Sequence, residues 1–182
     1  MTWFGTCAIL RTLSPADSGD YVINVLVLCT GNSARSILGE VLFNSHGAGR
    51  VRAFSAGSRP VGRVNPGAIE KLREEGFATD ELRSKSWDEF SAETGQAIDI
   101  VITVCDSAAG ESCPVWFGSP VTVHWGIPDP AIEGSPEEVA AAFTDAYDSL
   151  ERRVKAALEI PLEELPADKL KEALNAIHVA AG

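Results

Sequence analysis

The hydrophobic pattern opens with Val22-Ile-Asn-Val-Leu-Val-Leu28, an apolar run broken only by Asn24 and rich in β-branched side chains. It reads as a central parallel strand covered on both faces. Ala34, Ile37, Leu38, Val41, Leu42 and Ser45 then recur at helical spacing, so a helix follows after a short loop. Residues 51–56 form the second strand. The next helix opens at Asn65-Pro66 and closes at Gly76, with a polar cap, a proline in the first turn and a terminal glycine. Ser86-Trp-Asp-Glu89 has the form of a capping box that buries Trp87 or Phe90 nearby. Further strands are expected at 98–104 and 121–123. Ser135-Pro-Glu-Glu138 starts a long helix whose apolar stripe runs Val139, Phe143, Tyr147, Leu150, Val154, Leu158 and belongs to the core. The order strand, helix, strand, helix, strand, strand, helix predicts a parallel α/β sheet.

Both ends stand apart from this pattern. Residues 1–21 precede the first strand as an extension, with Ser14-Pro-Ala-Asp-Ser-Gly19 as a linker and Cys7 incidental. Pro161 ends the long helix, and Leu165, Leu170, Leu174 and Ile177 mark a short amphipathic segment expected to cover the core. The expected division is therefore 1–21, a catalytic domain at 22–160, and a packed C-terminal segment at 161–182.

Charge narrows the possible partners. A net charge of -11 over 182 residues argues against nucleic acid or an anionic membrane as a ligand. No apolar run approaches the ~18 residues that a membrane span needs. The apolar stretch at 3–10 has no basic region before it, so a secretory signal is not expected. The cytoplasm is the expected location, with the chain as a monomer or weak dimer.

Chemistry concentrates where strands end. The first strand runs into Cys29-Thr-Gly-Asn-Ser-Ala-Arg35-Ser36 at the start of a helix, where free N–H groups and the positive end of the helix dipole suit a tetrahedral oxyanion. Cys29 is the candidate nucleophile, since a helix N-terminus beside a guanidinium favours thiolate. Arg35 offers planar donors to two oxyanion oxygens. Gly31 is read as the residue that lets the backbone turn, Asn32 as a brace, and the Ser36 hydroxyl as a donor to sulfur. The strand at 98–104 delivers a second group, Cys105-Asp-Ser-Ala-Ala-Gly-Glu-Ser-Cys113. Neither cysteine has a companion at zinc spacing, so no metal is expected and thiol–disulfide exchange fits better. The alternative is that both pack under a loop, although the small residues at 107–110 leave little to pack against. His124-Trp-Gly-Ile-Pro-Asp129-Pro130 supplies one carboxylate, which reads alone either as a turn or as a general acid.

The loop resembles the signature loop of the low-molecular-weight protein tyrosine phosphatase superfamily, and its Thr30-Gly31-Asn32-Ser33 resembles the arsenate reductase form. Phosphatases of the group usually carry Cys before the Arg and Pro after the Ser; here Ala34 and Ile37 stand there. The similarity continues through Ser55-Ala-Gly57, Asn65-Pro66, Ser84-Lys85, Val101-Ile-Thr-Val-Cys105-Asp106 and His124-Trp-Gly126 to Asp129-Pro130. It implies a flavodoxin-like three-layer sandwich on a four-stranded parallel sheet, with Thr30, Gly31, Asn32, Ser33, Ala34, Arg35 and Ser36 binding the oxyanion and Asp129 protonating the leaving oxygen. It also implies a relay from Cys29 through Cys105 to Cys113. The resemblance implies no bound cofactor, with thioredoxin, or glutaredoxin with glutathione, completing the cycle. The spacing from Cys105 to Cys113 is one residue longer than in thioredoxin-coupled members. No tyrosine clamp for aromatic substrates follows Asp129. The expected activity is arsenate reduction; hydrolysis of phosphotyrosine or small phosphate esters, and non-catalytic oxyanion or redox sensing, are the alternatives.

Overall fold

The computed structural model describes residues 21–91, 93, 97–109, 116 and 118–180. Cys7, the 14–19 linker and Cys113 lie outside them. Four strands, β1 (Ile23–Cys29), β2 (Val51–Gly57), β3 (Ile100–Thr103) and β4 (Val121–His124), form an all-parallel sheet in the order β2-β1-β3-β4. The helices are α1 (Arg35–His46), α2 (Pro66–Glu74), α3 (Asp106–Ala109), α4 (Pro136–Leu158) and α5 (Ala167–Ala180). This is the parallel α/β sheet that the hydrophobic pattern predicts and the flavodoxin-like architecture that the family resemblance implies.

The apolar run at β1 follows from its central place between β2 and β3. Val25, Val27 and Cys29 join Ile100, Ile102 and Val123 in the core under α1, α2, α4 and α5. Leu26 and Leu28 point the other way, against Ala56, Val101 and Phe90, with Trp87 and Trp116 beside them. A side-chain period of two thus feeds two cores from one strand. β1 starts one residue later than expected and extends to Cys29. β3 is shorter than the 98–104 run because it pairs with β1 and β4 over only four positions, although Ile98 and Val104 are still buried.

Local signals mostly hold. Asn65 accepts from the Gly67 N–H at 2.9 Å at the head of α2. Ser135 and Glu138 close a reciprocal capping box on α4, and the Ser135 N–H and hydroxyl hold the Glu138 carboxyl below the usual carboxylate range. The Ser86 signal needs correction. Its side chain accepts from the Asp88 N–H and caps a 3-10 turn at Trp87–Phe90, while Glu89 turns away to pair with Arg83. The guanidinium offers Glu89 a two-pronged ionic partner that the backbone N–H does not. Of the two aromatics there, Phe90 is the buried one. The segment after Cys105 is not all loop: α3 occupies 106–109, and Ala108 is buried in the core. At the far end, Leu170 and Leu174 of α5 are buried, and fully buried Trp125 donates its indole N–H to the Leu174 carbonyl at 2.9 Å.

Gly67 sets how closely α2 approaches α4. A Cβ there would lie 2.4 Å from the ring of Phe143, which is itself buried and cannot swing aside. Gly67→Ala should therefore lower stability by about 1–3 kcal/mol despite alanine's better helix propensity. Urea unfolding with an unchanged midpoint would contradict this.

Candidate active site

The chain leaves β1 to one side for β2 and returns on the other for β3, so the carboxyl ends of β1 and β3 open the switch-point crevice where α/β sheets bind ligands. Cys29 is the last residue of β1, and α1 begins at Arg35. The cap position, Ala34, gives no side-chain bond and the first turn has no acidic residue, so the positive end of α1 is left uncompensated.

Loop carbonyls are fastened on the outside. Thr30 O accepts from the Arg59 N–H at 2.9 Å, Gly31 O from the Val61 N–H at 3.0 Å, and Ser33 O from the Asn65 N–H at 2.8 Å. In a planar trans peptide the following N–H points the opposite way, so the amides of Gly31, Asn32 and Ala34 face inward. Consistent with this, the Asn32 N–H donates to Cys29 Sγ at 3.1 Å, and Ser36 Oγ lies 3.0 Å from the same sulfur.

Asn32 holds this geometry, and it is more than a brace. It is fully buried with φ 42°, so it is itself the left-handed residue of the loop. Its amide donates to Ser36 Oγ and Ser55 Oγ, both at 2.9 Å, and its Oδ1 accepts from the Lys85 N–H at 2.6 Å. Behind it, the Ser55 hydroxyl donates to Glu40, and buried Lys85 places Nζ 3.0 Å from Glu40 Oε2. The role expected of Gly31 is not needed: its φ is not positive, and a Cβ there would meet Val61 at an ordinary 3.4 Å. The glycine that the loop requires is Gly57, on β2, where a Cβ would lie 2.4 Å from Thr30 O and 2.9 Å from Asn32 N. Glu40, the one carboxylate of α1, had no signal of its own because a charged helix residue is solvated by default; Gly57 and Lys85 stood only within matching strings.

Cys105 and Asp129 converge on the loop, while Cys113 lies outside the described residues. Cys29 and Cys105 are both buried free thiols, and Thr30 Oγ1 lies 3.5 Å from Cys105 Sγ. The Ala108 N–H is 3.4 Å from Cys105 Sγ, so Cys105 is packed and bonded at the start of α3. Arg35 donates Nη1 to the Ile127 carbonyl at 3.1 Å and Nη2 to Asp129 Oδ2 at 2.6 Å, which brings the guanidinium and the candidate acid together. Asp129 is 55% exposed and Arg35 15%, so the pair stands at the mouth of the crevice. His124 bridges Thr103 Oγ1 at 2.8 Å and Asp106 Oδ1 at 3.1 Å. Among the described residues no helix is long and apolar enough to cross a membrane.

Residues 24–172 match the family model of low molecular weight phosphotyrosine protein phosphatase, and the chain belongs to that family. Among its relatives is an arsenate reductase of Halalkalibacterium halodurans, 36% identical over 136 residues, which are 74% of this chain and 94% of that protein. The fold is similar to that of the arsenate reductase of Archaeoglobus fulgidus, with 27% identity, a TM-score of 0.54, and coverage of 72% of this chain and 98% of the other. It is also similar to the thioredoxin-dependent arsenate reductase of Corynebacterium glutamicum, with 25% identity, a TM-score of 0.52, and coverage of 74% and 62%.

Two substitutions test the loop. Gly57→Ala should leave the helical circular dichroism intact but weaken inorganic phosphate binding, read by calorimetry, by roughly tenfold or more as the loop is displaced. Lys85→Met should cost about 3 kcal/mol in urea unfolding by stranding Glu40, and adding Glu40→Gln should recover most of it. Failure of that second change to restore stability would show that Lys85 acts otherwise than through Glu40.

Proposed function

We propose that the chain is a cytoplasmic arsenate reductase, acting as a monomer or weak dimer without nucleic acid or membrane as a partner. The observation that carries this reading is the second buried thiol, Cys105, bonded through Thr30 to the loop of the first. Ester hydrolysis has no use for it. The arsenate reductase relatives agree with the same reading.

In the proposed reaction the Cys29 thiolate attacks arsenic(V) held by Arg35, Ser36 and the amides of residues 30–34. A sulfur–arsenic bond forms and one arsenate oxygen departs as water, with Asp129 supplying a proton. The Cys105 thiolate then attacks Cys29 Sγ. The sulfur–arsenic bond breaks with its electron pair passing to arsenic, which leaves as arsenic(III) arsenite, and Cys29 and Cys105 are left as a disulfide. Cys113 attacks Cys105, freeing Cys29 as thiolate and moving the disulfide to Cys105–Cys113. An external thiol reductant of the thioredoxin type, or glutaredoxin with glutathione, returns the two electrons. The thioredoxin dependence of the Corynebacterium glutamicum relative favours the first. Since arsenate and phosphate share shape and charge, weak phosphatase activity is expected from Cys29, Arg35 and Asp129.

Anaerobic incubation of the pre-reduced protein with arsenate, with arsenite and disulfides followed by mass spectrometry, tests the reading. Cys29→Ser should release no arsenite. With a thioredoxin-type thiol reductant added, under which the wild type should cycle, Cys113→Ser should release one equivalent and stop. Multiple turnover by Cys113→Ser would exclude the relay, and p-nitrophenyl phosphate hydrolysis without any arsenite would move the assignment to a phosphatase.

A further inference from the structure

Arg153 is the one buried arginine among the described residues, on the inner face of α4 and only 3% exposed. No carboxylate of the described residues pairs with it. Its Nη1 lies 3.2 Å from the Trp125 carbonyl and 3.5 Å from the Gly126 carbonyl, and its Nε is buried without a partner. Burial draws its pKa below the ordinary guanidinium value, with Arg152 adding to the effect. A cation placed this way carries a desolvation cost that two neutral acceptors only partly offset. A methionine of similar volume would fill the space more cheaply, so packing does not account for it.

What Arg153 holds is the segment that leads to Asp129. Three successive carbonyls are taken by two guanidinium groups: Trp125 and Gly126 by Arg153 from beneath, and Ile127 by Arg35 from the loop. The Trp125 N–H donates to Thr103 O at 2.8 Å and the Ile127 N–H to Val104 O at 3.2 Å, so the segment continues the line of β4 before releasing Asp129 toward Arg35. Asp129 is more than half exposed and has little packing of its own to aim it. We infer that Arg153 is a positioning residue for Asp129, fixing the 125–127 backbone so that the carboxyl meets Arg35 and the oxyanion in one geometry. The inference rests on the proposed role of Asp129 as the acid.

Arg153→Met and Arg153→Lys, each alone and with Asp129→Asn, separate this role from a structural one. Arg153→Met should unfold at the wild-type temperature or above, because a buried charge has been replaced by an apolar side chain. It should nevertheless release arsenite about tenfold more slowly, the scale expected when a reacting group is misplaced. In the Asp129→Asn background the same change should have no further effect, since residues acting as a unit are not additive. Arg153→Lys, which keeps a donor for one carbonyl, should fall between. Hydrogen exchange supplies a readout that does not depend on the reaction: in Arg153→Met the amides of Ile127 and of Ala131, which donates to Asp129 Oδ1 at 3.1 Å, should exchange faster while those of α4 do not. Unchanged exchange at those two amides, or equal slowing with and without the Asp129 carboxyl, would overturn the inference. A wild-type protein that releases no arsenite would overturn the functional reading instead, leaving exchange to decide the positioning.

Discussion

The site depends on one strained residue. Asn32 occupies a left-handed conformation that a side chain reaches only at a cost of order 1–3 kcal/mol, and the rest of the loop is arranged around that peptide. Its amide turns to the Cys29 sulfur because the Gly31 carbonyl is held outward by Val61. Its side chain satisfies all of its polar atoms on Ser36, Ser55 and the backbone of Lys85, so the conformation is over-determined from three parts of the chain. Buried polar networks of this kind specify one geometry because any partial alternative leaves groups unpaired in a dry interior.

Charge is used in two ways around this centre. Lys85 and Glu40 neutralise each other behind the loop, where a lone charge of either sign would distort the field at the sulfur. Arg35 and Arg153, by contrast, meet backbone carbonyls, and Arg35 meets in addition only the exposed Asp129. A chain whose net charge is -11 thus brings two guanidinium groups to the segment beside the loop, one of them paired with Asp129. The few charges near the loop count for more there than the global sum, because interactions between exposed charges are screened over about 10 Å in salt.

The parallel topology does the rest. Cys29 and Cys105 are 76 positions apart in sequence (105 minus 29), yet their strands are hydrogen-bonded neighbours that end together: Leu28 pairs with Thr103, and the Val104 N–H reaches the Leu28 carbonyl. β1 and β3 adjoin because the chain crosses from one side of β1 to the other, which is also why the crevice exists. α5 seals the far side through Trp125, tying the segment before Asp129 to a helix late in the chain.

The strands, the long helix with its capping box, and the loop from Cys29 to Arg35 were legible in the sequence because their signals are local: a period of two or of 3.6, a cap within four residues, a cysteine and an arginine at fixed separation on one turn. Family resemblance added the pairing of Cys105 and Asp129 with that loop. Other features were decided only in three dimensions. Ser86-Trp-Asp-Glu89 looked like a helix start until Glu89 found Arg83, a partner outside the box. Gly31 seemed the permissive residue, whereas the close approach falls on Gly57 from the neighbouring strand. Glu40, Lys85 and Arg153 carry no distinguishing mark as single letters, since a charged residue on a helix or in a loop is solvated by default. Their significance comes from burial and from which distant backbone they face, quantities that belong to packing and have no counterpart along the chain.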